Sequence, residues 1–368
     1  MKFRIPQKSL MNSLSIIIRA VSNRSNLSIL KGILIEVKEN KVTFIATDLE
    51  IGIQNDIEAL VISEGRTVVD ARLFSEIIRK LPNSSVDIIK TEDNNLVIKC
   101  GTTEFIISTW NANEYPELPQ VEGGDKYSLD EELFKNMIKQ TIFSTSKIDS
   151  KPILKGVLLE IEKNELNMVA LDGYRLALRK GKINTENSHK VVIPAKTLSE
   201  VSRIIDSEEE STININIAEN YVIFNIGKSK IISRLLEGEF INYKQIIPNE
   251  FNTKIVVETK ELIDCLERAS VISTESKKNL VKMNIKEDKI IILSNSELGK
   301  GYEEIEIEKE GENIEIAFNS KYIIEALKVI EEEKVVFNFT TNIRPGIMKP
   351  VNNDNYVYLV LPVRISGN

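Results

Sequence analysis

The chain has a single histidine, His189, and it directly follows Ser188, which gives the pair of residue types that serine hydrolases use. A working dyad requires the serine hydroxyl to reach the imidazole ring, but adjacent residues of an extended segment point to opposite faces. We therefore interpret His189 as a solvated histidine at the foot of a strand. A hydrolase is the least favoured of the alternative functions.

Two acidic runs, 207–211 and 331–334, contain the oxygen ligands that a divalent cation prefers. Each run follows a predicted helix and precedes a predicted strand, where such charges usually solvate a turn. Asp48 and Asp172 occupy matching positions in two copies of a repeat, so we interpret them as turn-forming residues and not as a catalytic pair. The sequence has no glycine-rich nucleotide motif and no zinc-ligand spacing. It predicts no enzymatic activity, no metal site and no cofactor.

The composition is typical of a soluble protein with sizeable cores. Of 368 residues, 42% are hydrophobic and 28% are charged, and the formal net charge is −7. No apolar run approaches the roughly 20 residues that a membrane helix needs, and the first residues lack the apolar stretch of a secretory signal. Cys100 and Cys265 form no metal-binding pattern, so we interpret both as buried small residues. We expect a cytoplasmic protein that does not bind membranes.

The sequence repeats itself at intervals of 124 residues. Residues 29–53 and 153–177 align without gaps and are identical at nine of 25 positions, where chance would give roughly one or two. A third copy is fainter: KVTFIATDLEIG at 41–52 aligns with KIIILSNSELGK at 289–300, twice the interval away. Each copy therefore corresponds to one structural module.

Each copy contains two predicted helices. The first has apolar residues on one face, as at Leu10, Leu14 and Ile17 in copy one. In copy two, Ser128 and Glu131 have the spacing of a capping box, which predicts a helix start there. The second helix is predicted at 71–81, 195–205 and 320–330, and short β-rich segments surround it.

These elements predict an α+β fold of three tandem modules, each with two helices packed on antiparallel sheets. Polar, turn-rich segments at 120–127 and 248–254 separate the modules. We expect domains at 1–122, 126–248 and 252–368.

Basic residues concentrate on the predicted helices and on the loops that leave them, whereas stretches such as 303–315 are acidic. For any single lysine, an ordinary solvated helix face is the simpler explanation. Recurrence across the copies favours a shared basic surface that binds a polyanion through its phosphates without reading its sequence. The candidate DNA-binding residues are Arg24, Arg72, Arg79, Lys147, Lys151, Lys196 and Arg203.

Three such modules, together with DGYRLALRK at 172–180, RLLEGEFINYKQIIP at 234–248 and YLVLPVRI at 358–365, resemble the bacterial sliding clamps, the β subunits of DNA polymerase III. The resemblance covers essentially the whole chain. It implies a DNA-clamp fold in which two subunits join head to tail into a six-domain ring, with helices lining the hole. It also implies that Phe105 and Ile107 contact Val271 and Ile272 of the partner subunit.

The resemblance further implies an apolar groove between copies two and three that binds short linear motifs of other proteins. A Gly-Tyr-Arg sequence at a strand end offers accessible backbone, an amphipathic ring and a guanidinium donor, which suits peptide capture. Pro362 stops ladder pairing, so we expect Leu361 and Val363 to be exposed where the chain leaves the sheet. Ile241 and Gln245 depart from the proline and the basic residue that the family commonly has. The groove residues are Leu154, Leu171, Gly173, Tyr174, Arg175, Leu176, Ile241, Ile246, Tyr322, Pro345, Val360, Leu361, Pro362, Val363 and Arg364.

The predicted function is that of a DNA sliding clamp that encircles double-stranded DNA and slides on it through non-specific phosphate contacts. Topology would prevent loss while weak contacts permit movement. Its expected partners are DNA, a second copy of the chain, and the replicative polymerase, the clamp-loader complex and repair proteins. The alternative is a multidomain scaffold protein without a DNA role.

Overall fold

The computed structural model describes residues 1–22, 26–148, 151–205, 211–274 and 279–364. The candidate Arg24 and most of the acidic run 207–211 lie outside these residues.

Over the described residues the chain forms six α-helices, which confirms the predicted pair in each repeat copy. They are α1 (Gln7–Ile17), α2 (Ala71–Lys80), α3 (Glu131–Thr141), α4 (Ala195–Ile204), α5 (Thr259–Thr274) and α6 (Ser320–Leu327). Side chains cap the second helix in copies one and three. Asp70 accepts a hydrogen bond from the Leu73 N–H at 2.8 Å, and Asn319 accepts one from the Lys321 N–H at 3.0 Å.

The predicted capping box in copy two is wrong. A strand runs from Asp125 to Asp130, and α3 begins at Glu131. Ser128 is therefore part of the strand and lies too far upstream to cap the helix. The S-x-x-E pattern arises here because polar residues alternate with Tyr127 and Leu129, which are buried, as on a half-buried strand.

The strands of the described residues pair antiparallel throughout. They are β1 (Lys2–Pro6), β2 (Gly32–Lys38), β3 (Lys41–Thr47), β4 (Ile51–Glu58), β5 (Leu60–Ser63), β6 (Gly65–Asp70), β7 (Ser85–Lys90), β8 (Asn95–Cys100), β9 (Thr103–Trp110), β10 (Asp125–Asp130), β11 (Gly156–Glu162), β12 (Glu165–Leu171), β13 (Arg175–Lys182), β14 (His189–Pro194), β15 (Thr212–Ile217), β16 (Tyr221–Ile226), β17 (Ser229–Arg234), β18 (Thr253–Glu258), β19 (Leu280–Lys286), β20 (Lys289–Ser296), β21 (Gly299–Glu306), β22 (Glu308–Gly311), β23 (Ile314–Asn319), β24 (Lys334–Phe339), β25 (Gly346–Pro350) and β26 (Tyr356–Val360).

The repeat is visible in three equivalent hairpins, β3–β4, β12–β13 and β20–β21. Their second strands begin at residues 51, 175 and 299, and each is eight residues long. These starting points are spaced at the repeat interval, so the faint third copy is confirmed as a structural copy.

Asp48 and Asp172 hold the turns of the first two hairpins. Asp48 Oδ1 accepts hydrogen bonds from the N–H groups of Glu50 and Ile51 at 3.0 and 2.9 Å. Asp172 Oδ1 accepts hydrogen bonds from the N–H groups of Tyr174 and Arg175, at 2.9 and 3.1 Å. The residue after each aspartate has a positive φ, 78° at Leu49 and 94° at Gly173. The interpretation of both aspartates as turn formers is confirmed.

The chain divides into two compact units. Unit 1 comprises Met1–Glu132 and Ser199–Leu235. Its 13 strands form one sheet in the order β10-β15-β16-β17-β4-β3-β2-β6-β9-β8-β7-β1-β5. The pairing of β4 with β17 joins copy one to copy two. Helices α1 and α2 contact each other, and each buries an apolar stripe at helical spacing.

Unit 2 comprises Leu133–Leu198 and Leu236–Asn368. It contains a nine-stranded sheet, β14-β11-β12-β13-β26-β25-β24-β18-β22, and a four-stranded sheet, β21-β20-β19-β23. The pairing of β13 with β26 joins copy two to copy three. One core lies under α5 and α6 and includes Leu262, Leu266 and Ile323. A second core includes Leu154, Leu171 and Leu176, and it brings together three of the predicted groove residues.

Candidate partner groove and basic helix surfaces

Arg175, the first residue of β13, is held on several sides within unit 2. Its Nε donates to Asp172 Oδ2 at 3.0 Å, its Nη1 to Glu325 Oε2 at 2.5 Å and its Nη2 to the carbonyl oxygen of Phe143 at 2.7 Å. Its Cζ also lies 4.5 Å from the centre of the Tyr322 ring, a cation–π distance. Only 7% of the residue is exposed. Its guanidinium is therefore enclosed within unit 2, and the expectation that it offers an open donor for a peptide is wrong.

The electrostatics of Arg175 favour its charged form. Burial alone would lower its pKa, but the hydrogen bond to Glu325 and the negative charges of Glu325 and Asp172 outweigh burial and raise the pKa of Arg175 above its ordinary value. The ion pairs therefore remain intact throughout the range in which the carboxylates are ionised.

Tyr174 and Leu361 form the exposed part of the predicted groove. Tyr174 stacks on Tyr322 with ring centres 6.3 Å apart, and its carbonyl accepts a hydrogen bond from the Leu361 N–H at 2.8 Å. Leu361 follows the last residue of β26 and is 38% exposed, which confirms its predicted exposure. Val363 differs: it is half-buried, and its N–H donates to the Ala317 carbonyl at 2.8 Å. The chain leaves β26 after Val360 but stays bonded to unit 2.

The other predicted groove residues fall into two classes. Leu154, Leu171, Leu176 and Val360 are buried. The exposed or half-buried positions are Ile241, Ile246, Pro345, Pro362 and Arg364.

The segment that carries Ile241 and Ile246 is anchored by its aromatic residues. Phe240 and Tyr243 are buried in the same core as Leu154. The Tyr243 hydroxyl donates to Glu160 Oε2 at 2.5 Å, and Lys244 Nζ lies 3.2 Å from the same oxygen. Burial would raise the pKa of Glu160, but these two donors outweigh it, so the pKa is lowered.

A cavity of about 310 Å³ adjoins the groove residues. It is lined by Tyr174, Arg175 and Tyr322, and also by Lys147 and Lys321. One predicted DNA-binding lysine thus lies beside the groove.

The described DNA-binding candidates are all exposed but are not equally available. Arg72 is paired with Glu76 at 3.3 Å, and Arg203 is paired with Glu200 at 2.9 Å. Arg79, in the last turn of α2, makes no ion pair with any described residue. Three further exposed candidates are Lys147, Lys151 and Lys196.

The predicted separation of basic helices from acidic sheets is only partly correct. Helix cations pair with helix acids, as in Lys328 with Glu267 at 2.6 Å, and with acids beyond the helices, as in Arg268 with Glu303 at 2.6 Å. Within a single helix the i, i+3 and i, i+4 spacing also pairs opposite charges, as in Arg203 with Glu200 and Arg72 with Glu76.

The predicted subunit contact residues lie on one strand, β9, and on one helix, α5. On β9, Phe105 is 40% exposed and Ile107 is buried; near the end of α5, Val271 is 69% exposed and Ile272 is half-buried. Within the described residues, the Thr103–Ser108 part of β9 pairs only with β8, and β21 pairs only with β20. Each strand thus leaves one row of backbone groups open.

Sequence reasoning missed the partners that hold Arg175. Phe143 and Glu325 are 32 and 150 residues away from it in the chain. The only available signal was the recurrence of Asp172 with Asp48, which marked the turn but not the ion pair.

The structure places the residues that were considered for catalysis and for metal binding. His189 begins β14 and is half-buried, and its position at the foot of a strand is as predicted. No three potential metal ligands cluster among the residues that the structure describes. Cys100 and Cys265 are buried free thiols, as predicted. None of the helices in the described ranges has the length and apolar character needed to cross a bilayer.

The chain matches the DNA polymerase III beta subunit family in three consecutive domains: the N-terminal domain over residues 1–119, the central domain over 128–242 and the C-terminal domain over 244–364. The beta sliding clamp of Bacillus subtilis is 38% identical over 99% of this chain and 100% of that protein. The crystal structure of the DNA polymerase sliding clamp from Bacillus subtilis superposes with a TM-score of 0.96 at 37% identity and covers all of both chains. The DNA polymerase III beta subunit of Thermotoga maritima gives 0.93 at 34% identity over 99% of this chain and 100% of its own. The α+β fold of three tandem clamp modules is confirmed, and the scaffold alternative finds no support among these relatives.

Proposed function

The chain belongs to the DNA polymerase III beta subunit family, and from that premise we propose that it is a sliding clamp. Two copies close into a ring around duplex DNA, and the ring tethers the replicative polymerase, the clamp loader and repair proteins. The observation that carries this proposal is the pair of open sheet edges, because they are the edges that the repeat leaves for a second copy.

Two joints, meaning strand pairings between consecutive repeat copies, lie within the chain, and they indicate how a third would form between two chains. In unit 1, β4 of copy one pairs with β17 of copy two. In unit 2, β13 of copy two pairs with β26 of copy three. By the repeat, β4, β13 and β21 are equivalent, and so are β9, β17 and β26. Among the described strands, the members that pair with no strand of another copy are β21 and β9. They belong to copies three and one, so pairing between chains would be head to tail and closed.

The register of the third joint follows from the first two. Ile51 faces Ser233 in the first joint, and Arg175 faces Val360 in the second; Ile51, Arg175 and Gly299 are equivalent. Thr103 pairs with Cys100 at its hairpin as Ser229 pairs with Ile226, which makes Ile107 equivalent to Ser233. The expected pairs are Gly299 with Ile107 and Gly301 with Phe105, one residue from each chain.

The glycines of β21 leave space for these large side chains. A Cβ atom at Gly299 would have Ile272 as a neighbour at 3.8 Å, and one at Gly301 would run into the Ser294 hydroxyl as well as having Ile272 at 3.8 Å. Opposed residues of antiparallel strands present their side chains on the same face. Phe105 and Ile107 would therefore cover the glycines and pack on Ile272, with the exposed Val271 at the margin.

For DNA we propose diffuse phosphate contacts from the helices, made by Arg24, Arg72, Arg79, Lys147, Lys151, Lys196 and Arg203. Exposure of the described members supports this role, and their partial neutralisation by acids suits weak binding. Electrostatic contacts of this kind hold a phosphate backbone without fixing a position along it. A protein with a net negative charge can then stay on DNA and slide along it, because the closed ring, and not a high affinity for DNA, prevents its release.

For partner proteins we propose the groove around Tyr174 and Leu361. It combines an apolar floor, exposed ring and aliphatic surfaces and a rigid Arg175 support, which suits an extended peptide with apolar anchors. We further propose domains at 1–122, 126–248 and 252–368, a role without catalysis, and action in the cytoplasm, where the DNA is.

A retention experiment tests the clamp function. The chain is loaded by a clamp loader and ATP onto nicked circular DNA, which is then gel-filtered before and after linearisation. We expect it to remain with circular DNA and to be lost once ends are available. Equal retention on both forms would mean ordinary binding and would contradict the ring.

A further inference from the structure

On one face of the sheet, the strand pairing that we propose between chains differs from the two joints within the chain. Side chains alternate between the two faces of a strand. On β21, Gly301 and Glu303 lie on the face toward α5, where Glu303 Oε2 accepts a hydrogen bond from Arg268 at 2.6 Å. Lys300 therefore lies on the opposite face, here called the outer face, and it is exposed.

In the joint between copies one and two, a connecting segment covers the outer face. Gly52 occupies the position equivalent to Lys300 and faces Ile232, which is buried. A Cβ atom at Gly52 would run into the side chain of Leu118. Leu118 belongs to the segment that follows β9 and leads into copy two.

The joint between copies two and three is covered in the same way. Leu176 occupies the position equivalent to Lys300 and faces Leu359. Both leucines are buried in one core with Phe240 and Tyr243, which belong to the segment that follows β17 and leads into copy three. Two separate chains have no connecting segment between them, so the outer face of the proposed joint stays open to water, where a charged residue is favoured.

The two edges of the proposed joint carry opposite charges on this outer face. The proposed register places Lys300 opposite Ile106 of the other chain, with Glu104 as a diagonal neighbour. Diagonal neighbours on antiparallel strands are within reach of a long side chain. Lys300 makes no ion pair with any residue that the structure describes. Glu104 pairs with Lys99 at 2.8 Å, yet its side chain is 45% exposed, so its carboxylate can accept a second cation.

We propose that Glu104 and Lys300 form an ion pair across both boundaries between the chains and thereby select head-to-tail pairing. The pair rests on the proposed ring. The methylene groups of Lys300 would cover Ile106, which is 60% exposed in the single chain, while the ammonium group reaches the carboxylate of Glu104. In a chain that is not yet paired, the exposed lysine also discourages the open edge of β21 from pairing with other sheets.

Charge reversal in two separate full-length chains tests the pair. Lys300→Glu places two acids at both boundaries of its own ring, and Glu104→Lys places two bases there, so each variant alone should dimerise about tenfold more weakly than the unaltered chain. When the two variants are mixed, opposite charges meet again at both boundaries. The mixed dimer should therefore dissociate within about threefold of the unaltered dimer. Sedimentation velocity over a dilution series, with a fluorescent label on one chain, measures the three dissociation constants.

Lys126→Glu and Glu219→Lys are the matched controls. They make the same two reversals at exposed residues of copy two, which has neither open edge, and they should dimerise as the unaltered chain does, alone or mixed. Lys300→Gln removes one charge without adding a repulsion and should weaken the dimer about threefold.

The possible outcomes separate the ion pair from the ring. Unchanged dimerisation in Lys300→Glu and Lys300→Gln would overturn the ion pair, and so would a mixed dimer as weak as the dimers of the single variants. In both cases the unaltered chain is still a dimer, so the ring would stand. A monomeric unaltered chain would overturn the ring and the ion pair together.

Discussion

At the scale of single residues, Arg175 is held by groups that are distant from it in the sequence. Asp172 fixes the turn before it, Glu325 approaches from α6, and the carbonyl of Phe143 takes a third donor. Removing the guanidinium would leave Asp172 and the Phe143 carbonyl without their donor, and Glu325 with only the exposed Lys321, 3.9 Å away. Loss of one partner from a buried ion pair is far more costly than loss of an exposed one.

We predict that Arg175→Met lowers the stability of the chain by roughly 3 kcal/mol and weakens partner-peptide binding. The reason is the loss of the cation that Asp172 and Glu325 share. Urea unfolding followed by circular dichroism measures the first effect. Lys182→Met, at the exposed end of the same strand, is the control and should change stability by less than about 0.5 kcal/mol. Equal effects of the two changes would contradict the assigned role.

Glu160 gives a prediction about pH. Its pKa in the folded chain is lowered from an ordinary value of 4.5, because donors from Tyr243 and Lys244 outweigh burial. The ionised carboxylate therefore contributes stability above about pH 4.5, and this contribution is lost as the pH falls through the lowered folded value.

Tyr243→Phe should reduce this acid-sensitive contribution, so the difference in melting temperature from the unaltered chain should be largest near neutral pH and shrink in acid. Melting curves between pH 7 and pH 3 measure it. Tyr221→Phe, at a half-buried tyrosine of β16, is the control. A difference that stays constant with pH would show that the hydrogen bond to Glu160 is not its source.

At the scale of elements, the 124-residue repeat and the spacing of apolar residues predicted the helices correctly. The six helices have the predicted positions because their apolar stripes are long and regular. The starting residue of α3 was misjudged because strand alternation at Tyr127 and Leu129 placed Ser128 and Glu131 at capping distance. The contacts around Arg175 could not be foreseen, since they join β13 to Phe143 of the same copy and to Glu325 of copy three, 32 and 150 residues away in the chain. The groove and subunit residues came from the family resemblance and not from periodicity.

The residue that follows β26 provides a test of the proposed groove. Leu361→Asp should abolish binding of a partner peptide, because it places a charge on the exposed apolar surface beside Tyr174, yet leave the dimer intact. Fluorescence anisotropy with a labelled polymerase motif peptide measures binding. Val351→Asp changes an equally exposed apolar residue beyond β25 and should bind as the unaltered chain does. Retained affinity in Leu361→Asp would place the groove elsewhere.

At the scale of the whole molecule, assembly depends on the two open edges. Phe105→Arg combined with Ile107→Arg should give monomers in sedimentation velocity, because two charges would face the glycines of β21 and Ile272. Leu60→Arg with Ile62→Arg is the matched control; both residues are exposed on β5, the strand at the far end of the same sheet. It should stay dimeric. Phe105→Arg alone, at an exposed site, separates loss of association from loss of folding. A dimeric double variant would refute the proposed interface.

The equivalence of the three joints has a mechanical consequence. A closed pair would have six boundaries between neighbouring domains, and continuous polypeptide would link the two domains at four of them. In unit 1, buried hydrogen bonds from Ser13 to Asn55 and from Asn55 to Ser229, at 2.6 and 2.8 Å, also stabilise the boundary. The other two boundaries, between chains, would depend on the paired strand edges and on the packing of Phe105 over Gly301. A motor protein that strains the ring would not need to recognise the opening position, because the ring would open at the two boundaries between chains.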